Sequence, residues 1–321
     1  MFPLRIFLFL AFGMLSPLKS SGTESYVSQG YFGERLEATA IRTESANRGY
    51  LLFLRNWQVP ASLARNANSC VSCHNTPMPG GSGLYPSTLV AVDVKARKTD
   101  GTELLQRNAV GIDSSPQEFR RTPQLFGVGV LEASSHRHLK FGAYGHTDSL
   151  ETFVSNAFAR ELGVSTHHSC ARAVGQNSYP SRCYVRASDQ DIIDVAEYIR
   201  SLAPPPRRTT EDVSEGAIIF AQIGCESCHS HRLDLDREDV RRDAYTDLIL
   251  HNICGNCSTA IRTPALWGLT SEGPPYLHDA SATTLVEAIL KHSGEAESAR
   301  RSFVNLGPEQ LNRLLGFLHS L

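Results

Sequence analysis

The sequence predicts a mostly α-helical protein built from two halves that repeat the same order of signals. Alternating apolar and polar residues, which would indicate half-buried strands, are scarce. Each half instead ends in an amphipathic helical pattern, and the second pattern starts with Pro308 in its first turn. The apolar positions of the two patterns are Ile192, Val195, Ala196, Ile199 and Leu202, and then Leu311, Leu314, Leu315 and Leu318.

The internal duplication is visible in four signals that recur in the same order. They are Gly-x-x-x-Phe on a predicted helix, Arg-Thr-Pro-x-Leu-x-Gly, Tyr-x-His, and a helix that begins at a leucine. The first half carries them at Gly49–Phe53, Arg121–Gly127, Tyr144–His146 and Leu150. The second half carries them at Gly216–Phe220, Arg262–Gly268, Tyr276–His278 and Leu285. Residues 89–110 add some β-branched alternation, which favours a short hairpin.

Each half also contains Cys-x-x-Cys-His, the attachment signal for a c-type haem. Two sulfurs three residues apart can bond to the porphyrin vinyl groups, and the adjacent imidazole can ligate the iron. A single copy could be a zinc or redox Cys-x-x-Cys, but two copies in repeated surroundings favour two haems. The motif residues are Cys70, Cys73 and His74, and Cys225, Cys228 and His229. The predicted fold is therefore mostly α, with two tandem cytochrome c-like domains, each carrying one covalent haem c.

The predicted division of the chain is a signal peptide at 1–22, a first domain at 23–203, a Pro-rich linker at 204–208 and a second domain at 209–321. The apolar run 6–15 follows a positive residue and is too short to span a bilayer comfortably. An uncleaved anchor is the alternative. We expect an exported, periplasmic protein without a membrane segment after signal removal. Its net charge of -2 gives no indication of a nucleic-acid partner.

Eight cysteines leave an even remainder of four once the two haem motifs are set aside. In an oxidising compartment this remainder suggests two disulfides, Cys170 with Cys183 and Cys254 with Cys257. The sequence alone does not fix the pairing. Cys254-Gly-Asn-Cys257 lacks a following histidine, so it is not a third haem site, and a structural disulfide is favoured over a redox-active one.

Methionine is poorly placed to complete either iron site. Met1 and Met14 lie in the signal, and Met78 follows His74 too closely to reach the opposite face of the haem. For the second haem the leading candidate is His292, because it shares one predicted helical face with three apolar residues. These are Leu285, Ala288 and Ile289. At the matching position the first half has Ala157, which cannot ligate iron, so the first haem is predicted to be the open site.

The chain resembles the di-haem cytochrome c peroxidase superfamily, and within it the branch of di-haem oxidoreductases or thiol oxidoreductase-like peroxidases. The resemblance is carried by residues 244–248, 262–268, 276–279 and 285–296, and in the first half by 121–132 and 141–163. It implies His229/His292 ligation of the second haem, which suits electron transfer. It also allows a calcium ion between the domains.

The resemblance further implies roles for residues around the first haem. Glu161 matches the stretch that carries the acid–base glutamate of di-haem peroxidases, and Tyr144 lies where members often place a tryptophan between the haems. Arg121 and Arg262 are predicted to pair with haem propionates or to cap loops. His146, with His136 and His138 behind it, is the loop histidine that could close the first iron site.

The expected function is reduction of hydrogen peroxide at the first haem, with electrons entering at the second from a small redox protein, a c-type cytochrome or a cupredoxin. A second enzymatic hypothesis is long-range oxidation of a protein or small substrate. A third hypothesis is a non-enzymatic bis-His di-haem electron-transfer cytochrome. A fourth is thiol oxidation through Cys254 and Cys257.

Overall fold

Helices make up most of the regular structure in the computed structural model, which describes residues 43–59, 67–83, 90–93, 117–134, 141–145, 147–174, 183–207, 213–231, 243–254 and 260–321. The first half contributes α1 (Glu44–Leu54), α2 (Val128–Glu132), α3 (Leu150–Glu161), α4 (His167–Val174) and α5 (Asp189–Arg200). The second half contributes α6 (Ser214–Gln222), α7 (Leu269–Glu272), α8 (Leu285–Leu290), α9 (Glu297–Val304) and α10 (Pro308–Ser320). The mostly α fold class is confirmed. The predicted signal peptide lies outside the described residues.

In the first half the opening helix α1 crosses the closing helix α5 at very short range. A Cβ atom on Gly49 would lie 1.8 Å from the carbonyl oxygen of Asp194, so only glycine permits this approach. Phe53, Tyr198 and Ile199 are buried where the two helices meet. The helical face predicted for α5 is thus its core face, although buried Tyr198 and Asp194 also belong to it.

The second half repeats the same crossing between α6 and α10. A Cβ atom on Gly216 would lie 2.2 Å from the carbonyl oxygen of Arg313. Phe220, Leu314 and Phe317 form the buried contact, and Pro308 occupies the first turn of α10 as predicted. The shared Gly-x-x-x-Phe pattern therefore marks a helix whose glycine touches the backbone of the last helix in each half.

Strands are few and short among the described residues. β1 (Val90–Asp93) pairs antiparallel with β2 (Gln117–Arg120), and β3 (Leu250–His251) pairs antiparallel with β4 (Ile261–Arg262). The predicted hairpin within 89–110 is wrong in extent, because the partner of β1 lies beyond that stretch. The sequence of β2 carries no β-branched residue, so pattern alone gave no signal for it.

Each half uses the glycine of its Arg-Thr-Pro-x-Leu-x-Gly segment in the same hydrogen bond within that half, and both glycines also approach the other half. Gly127 donates its N–H to the carbonyl of Leu202, and Gly268 donates to the carbonyl of Leu321, at 2.9 and 2.8 Å. Both glycines have positive φ angles, 79° and 71°. A Cβ on Gly127 would lie 2.3 Å from the buried ring of Trp267, which brings the first half directly onto the second.

Cys170 and Cys183 are joined by a disulfide, with Cα atoms 5.6 Å apart, which is the pairing expected for this loop. Cys254 is also disulfide-bonded, while Cys257 lies outside the described residues. In the part of the chain that the structure describes, no helix combines the length and apolar character needed to cross a bilayer.

The helix crossing in the second half predicts that two glycine substitutions change the free energy of unfolding in opposite directions. Gly216→Ala should lower the free energy of unfolding by about 1–3 kcal/mol, because the added methyl overlaps the Arg313 backbone. Gly316→Ala on α10 is the matched control: a Cβ there meets nothing within 4 Å. It should raise the unfolding free energy by about 0.5–1 kcal/mol. Denaturant titration of both variants measures the difference, and equal stabilities would contradict the crossing.

Asp194 on α5 predicts a loss of stability in acid. Hydrogen bonds from Arg48, and then from Ser45 and Gln190, lower the pKa of the Asp194 carboxyl to about 2. A depressed folded-state pKa stabilises the protein above the unfolded value near 4, and this contribution disappears as pH falls towards 2. Because Arg48 is 46% exposed, solvent screening reduces the effect. Asp194→Asn should cost about 1–2 kcal/mol at pH 7 and much less at pH 2. An equal cost at both pH values would contradict the assignment.

Candidate functional site

Both Cys-x-x-Cys-His motifs adopt the same turn. Residues Cys70–Ser72 and Cys225–Ser227 each form one 3₁₀ turn. The first cysteine carbonyl accepts from the histidine N–H at 2.9 Å in both copies. This turn folds the histidine back beneath the two sulfurs, so each motif presents two thiols and one imidazole on the same side of the backbone.

The four motif thiols are free and half-buried. Burial raises the pKa of Cys70 and Cys225 to about 12 and that of Cys73 to about 11. The pKa of Cys228 is raised by the same cause. Redox-active Cys-x-x-Cys pairs depend on a lowered thiol pKa. The geometry therefore argues against the redox interpretation of these motifs and favours attachment of a group that buries the sulfurs.

In both motif histidines a hydrogen bond at Nδ1 orients the ring for metal ligation through Nε2. His74 Nδ1 lies 3.3 Å from the carbonyl oxygen of Gly81, and His229 Nδ1 lies 2.9 Å from that of Tyr245. A carbonyl only accepts hydrogen bonds, so Nδ1 carries the proton and the Nε2 lone pair is left for the iron. Burial lowers the pKa of both imidazoles to about 4, which keeps them in the neutral ligand form.

His292 shares this arrangement and lies close to His229. Its Nδ1 donates to the carbonyl of Ala288 at 2.8 Å, which again leaves Nε2 free. Burial is the main cause of the lowered pKa of His229, and the hydrogen bond to Tyr245 opposes it. The nearby charge of His292 lowers this pKa further. The two imidazoles therefore lie near one another, and ligation of one iron by both stays a prediction.

The prediction that His292 lies on the helical face of α8 is wrong, because α8 ends at Leu290. His292 donates its N–H to Ile289 at 3.1 Å instead of Ala288. The Ala288 carbonyl therefore lacks a helical partner, and the His292 side chain supplies one. The end of the helix is thus what fixes the tautomer of this histidine.

At the equivalent point of the first half, α3 continues as a helix through Ala157 to Glu161. The helices correspond because Ser149 and Thr284 both cap them and Leu150 and Leu285 both begin them. The Glu161 carboxylate lies close enough to Cys73 to raise the pKa of that thiol, after the larger effect of burial. The Glu161 carbonyl accepts from the N–H of Ala67, just before the haem motif. The structure thus brings Glu161 beside the first motif.

Two polar groups of the described residues fit the carboxylates of haem. The indole N–H of Trp57, 5% exposed, has no hydrogen-bond partner. Arg262 is partly buried, and burial alone lowers its pKa because no acidic side chain of the described residues pairs with it. Arg121, by contrast, already pairs with Glu272 at 2.5 Å. The residues present therefore fit two haem groups, with Arg262 better placed than Arg121 to meet a propionate.

The junction between the halves is reciprocal and includes Tyr144. Arg121 donates its N–H to the carbonyl of His278 at 2.9 Å, and Arg262 donates to that of Ala143 at 2.8 Å. The ring of Tyr144 meets the ring of His278 edge-on, with centroids 6.5 Å apart. Tyr144 therefore contacts the second half at this junction, and its role between the two haems stays a prediction.

The sequence predicts that the two Tyr-x-His patterns occupy equivalent positions in the two halves, and this prediction is wrong. The isolated bridges Phe141–Thr147 and Tyr276–Ala282 occupy the same place before the two capped helices. Phe141, and not Tyr144, is thus equivalent to Tyr276, and Ala143 is equivalent to His278. The sequence contained a sign of this equivalence, because Phe141 and Tyr276 lie the same number of residues before the N-caps Ser149 and Thr284.

Several predicted site residues remain untested. His146, His136 and His138 lie outside the described residues. Within the described part, the side chains that lie within metal-ligand reach of one another are Cys228, Asp247 and His251. Cys228 belongs to the haem motif, so this group gives no support to the calcium site, which remains an expectation.

The chain has low sequence identity to several proteins of solved structure. It is 17% identical to a chain of hydrazine synthase from Kuenenia stuttgartiensis, covering 99% of this chain and 100% of that one, with a TM-score of 0.48. It is 18% identical to a MauG-like protein associated with microbial copper homeostasis, covering 87% and 88%, with a TM-score of 0.48. For a variant of the di-haem peroxidase BthA from Burkholderia thailandensis E264, identity is 15%, coverage 85% of each chain and TM-score 0.45. No curated protein matches the chain.

A family model described as "Di-haem oxidoreductase, putative peroxidase" matches residues 157–321, slightly more than half of the sequence. The matched range includes Ala157, Glu161, the second Cys-x-x-Cys-His motif and His292. The chain belongs to the di-haem oxidoreductase family.

Proposed function

We propose that the chain is an exported di-haem c enzyme that reduces hydrogen peroxide with electrons from a small redox protein. The haems are attached through Cys70 and Cys73 and through Cys225 and Cys228, in domains spanning 23–203 and 209–321. A c-type cytochrome or a cupredoxin is the proposed electron donor. Membership of a di-haem oxidoreductase family supports the reaction class, and the pairs of buried neutral thiols support covalent attachment.

The observation that carries the proposal is the difference between the two sites opposite the motif histidines. Near His229 the second half offers a second imidazole, His292, whose own Nδ1 proton is bound to a carbonyl. In the first half the equivalent helix carries Ala157, and the next charged group that approaches the motif is Glu161. One site is therefore equipped with two ligands, while the other is equipped with one ligand and an acid.

When bound, the two haems supply electron transfer and the reduction of peroxide. Around the first site, Ala157 offers no iron ligand, and Phe158 and Val154 on the same helix are buried in the apolar core. The Glu161 carboxylate takes a proton from one peroxide oxygen and returns it to the other, which turns the leaving oxygen into water. Trp57 is the further donor available to an oxygen atom in this half.

At the second site, His229 and His292 would together hold the iron, and a site with two histidine ligands would transfer electrons without binding a small oxidant. This arrangement suits electron entry. Tyr144 and His278, in edge contact at the junction, offer the shortest aromatic connection between the halves among the described residues. Export is supported by the apolar N-terminal run and by the disulfide between Cys170 and Cys183, which requires an oxidising compartment.

Substitution of Glu161 tests the proton transfer. Glu161→Gln should lower peroxide turnover by about 10²–10⁴-fold, because glutamine cannot carry the proton. Haem content and the spectrum of the second haem should stay unchanged. Glu151→Gln, in the first turn of the same helix, is the matched control and should keep its rate. Unchanged turnover in Glu161→Gln would exclude this residue as the acid–base group.

Substitution of His292 tests the closed site. His292→Ala should convert the second haem from a low-spin to a high-spin ferric signal in electron paramagnetic resonance, since one axial ligand is lost. His319→Ala, at the exposed end of α10, should leave both signals as they are. Retention of the low-spin signal in His292→Ala would show that another group ligates this iron.

The wild-type protein separates the competing functions. An enzyme with an open first site should show one high-spin centre in the ferric or half-reduced state, and cyanide should shift it. Two low-spin centres that do not respond to peroxide or cyanide in either state would favour the electron-transfer cytochrome. A responsive centre without peroxide turnover, using reduced cytochrome c as donor, would favour long-range oxidation of another substrate. Full activity of Cys257→Ser would exclude the thiol mechanism.

A further inference from the structure

His251 lies between two carboxylates and bonds to both. Its Nε2 is 2.7 Å from Asp247 Oδ2, and its Nδ1 is 2.8 Å from Glu295 Oε2. A carboxylate accepts hydrogen bonds, so both ring nitrogens donate, and the imidazole carries a positive charge. Burial lowers the pKa of His251, but the bonds to Glu295 and Asp247 outweigh burial, and the net pKa is raised. His251 and Asp247 are mostly buried, at 16% and 14% exposure, which limits screening by solvent.

Asp247 connects His251 to the motif side of the second site. The Asp247 N–H donates to the carbonyl of Cys228 at 2.9 Å. Two residues earlier in the chain, the Tyr245 carbonyl holds Nδ1 of His229. The loop that contains Tyr245 and Asp247 therefore orients the motif histidine and contacts the second motif cysteine.

Glu295 connects His251 to the segment that carries His292. Glu295 donates its N–H to the Asn252 carbonyl at 2.9 Å, and its Oε1 accepts from the Asn252 N–H at 2.7 Å. Ser293, next to His292, donates its N–H to Ile253 at 2.8 Å. The residues that follow His251 thus hold the chain immediately after His292.

We propose that His251 is a positioning residue of the second haem, which joins the His229 side to the His292 side through its paired carboxylates and places a positive charge beside the site. This inference rests on the proposed ligation by His229 and His292. The positive charge lies beside the site, because a ring nitrogen of His251 is within 4.8 Å of the sulfur of Cys228, the second motif cysteine. A fixed positive charge favours the reduced form of a nearby redox group, which suits the site of electron entry.

The test compares three variants of the haem-loaded protein by redox titration and electron paramagnetic resonance. His251→Gln removes the charge and should shift the midpoint potential of the second haem downwards. It should also broaden the second low-spin signal, or convert part of it to high spin. His251→Lys keeps the charge and should restore the potential without restoring a uniform signal. The first haem should be unchanged in both variants.

His231→Gln is the matched control, because His231 also pairs with a carboxylate, that of Glu226, but is 53% exposed. The control should keep the potential and the signal of the wild-type second haem. If His251→Gln keeps them as well, the proposal is wrong. If His251→Gln does not fold, Glu295→Gln removes one of the two bonds and should give the same broadening. If the wild-type second haem lacks two histidine ligands, the proposed ligation is wrong and this inference fails with it. If the ligation is intact but peroxide turnover is absent, only the proposed reaction is wrong and this inference stands.

Discussion

The site chemistry depends on three hydrogen bonds of the same type, each from the Nδ1–H of a histidine to a backbone carbonyl. Gly81, Tyr245 and Ala288 provide these carbonyls for His74, His229 and His292. Each bond fixes the tautomer and directs the basic Nε2 nitrogen towards the space where the iron would lie. Burial adds a second constraint, since it keeps the motif imidazoles neutral. Ligation therefore requires no further rearrangement of these side chains.

The fold supplies those carbonyls through features that each half repeats. A glycine lets the first helix touch the backbone of the last helix, and this crossing forms the core against which the motif turn packs. The Arg-Thr-Pro segments of each half then donate to the loop of the other half. The two sites are thus held by contacts that neither half makes alone, and an aromatic pair, Tyr144 and His278, lies at this junction.

Local patterns in the sequence were sufficient for the helices that open and close each half and for those that begin at Leu150 and Leu285. These features depend on neighbours a few residues apart, whereas ligation by His292 stays a prediction. Contacts across long separations were not predictable. The pairing of β1 with β2, the register that makes Phe141 equivalent to Tyr276, and the bond between His251 and Glu295 all join segments far apart in the chain. His251 in particular showed no local pattern, because its partners become neighbours only after folding.

The contrast between the two sites follows from where one helix ends. In the second half, α8 ends at Leu290, which leaves the Ala288 carbonyl open for the His292 ring and starts the segment held by strand β3. In the first half, α3 runs on to Glu161 and satisfies its own carbonyls within the helix, so a side-chain cap of this kind has no acceptor there. The longer helix carries an acid towards the motif cysteine instead. A duplicated framework can thus give one closed and one acid-bearing site when a single helix gains or loses about one and a half turns, or roughly six residues. Such a change leaves the helix crossings and the junction untouched, because both are made by other parts of each half.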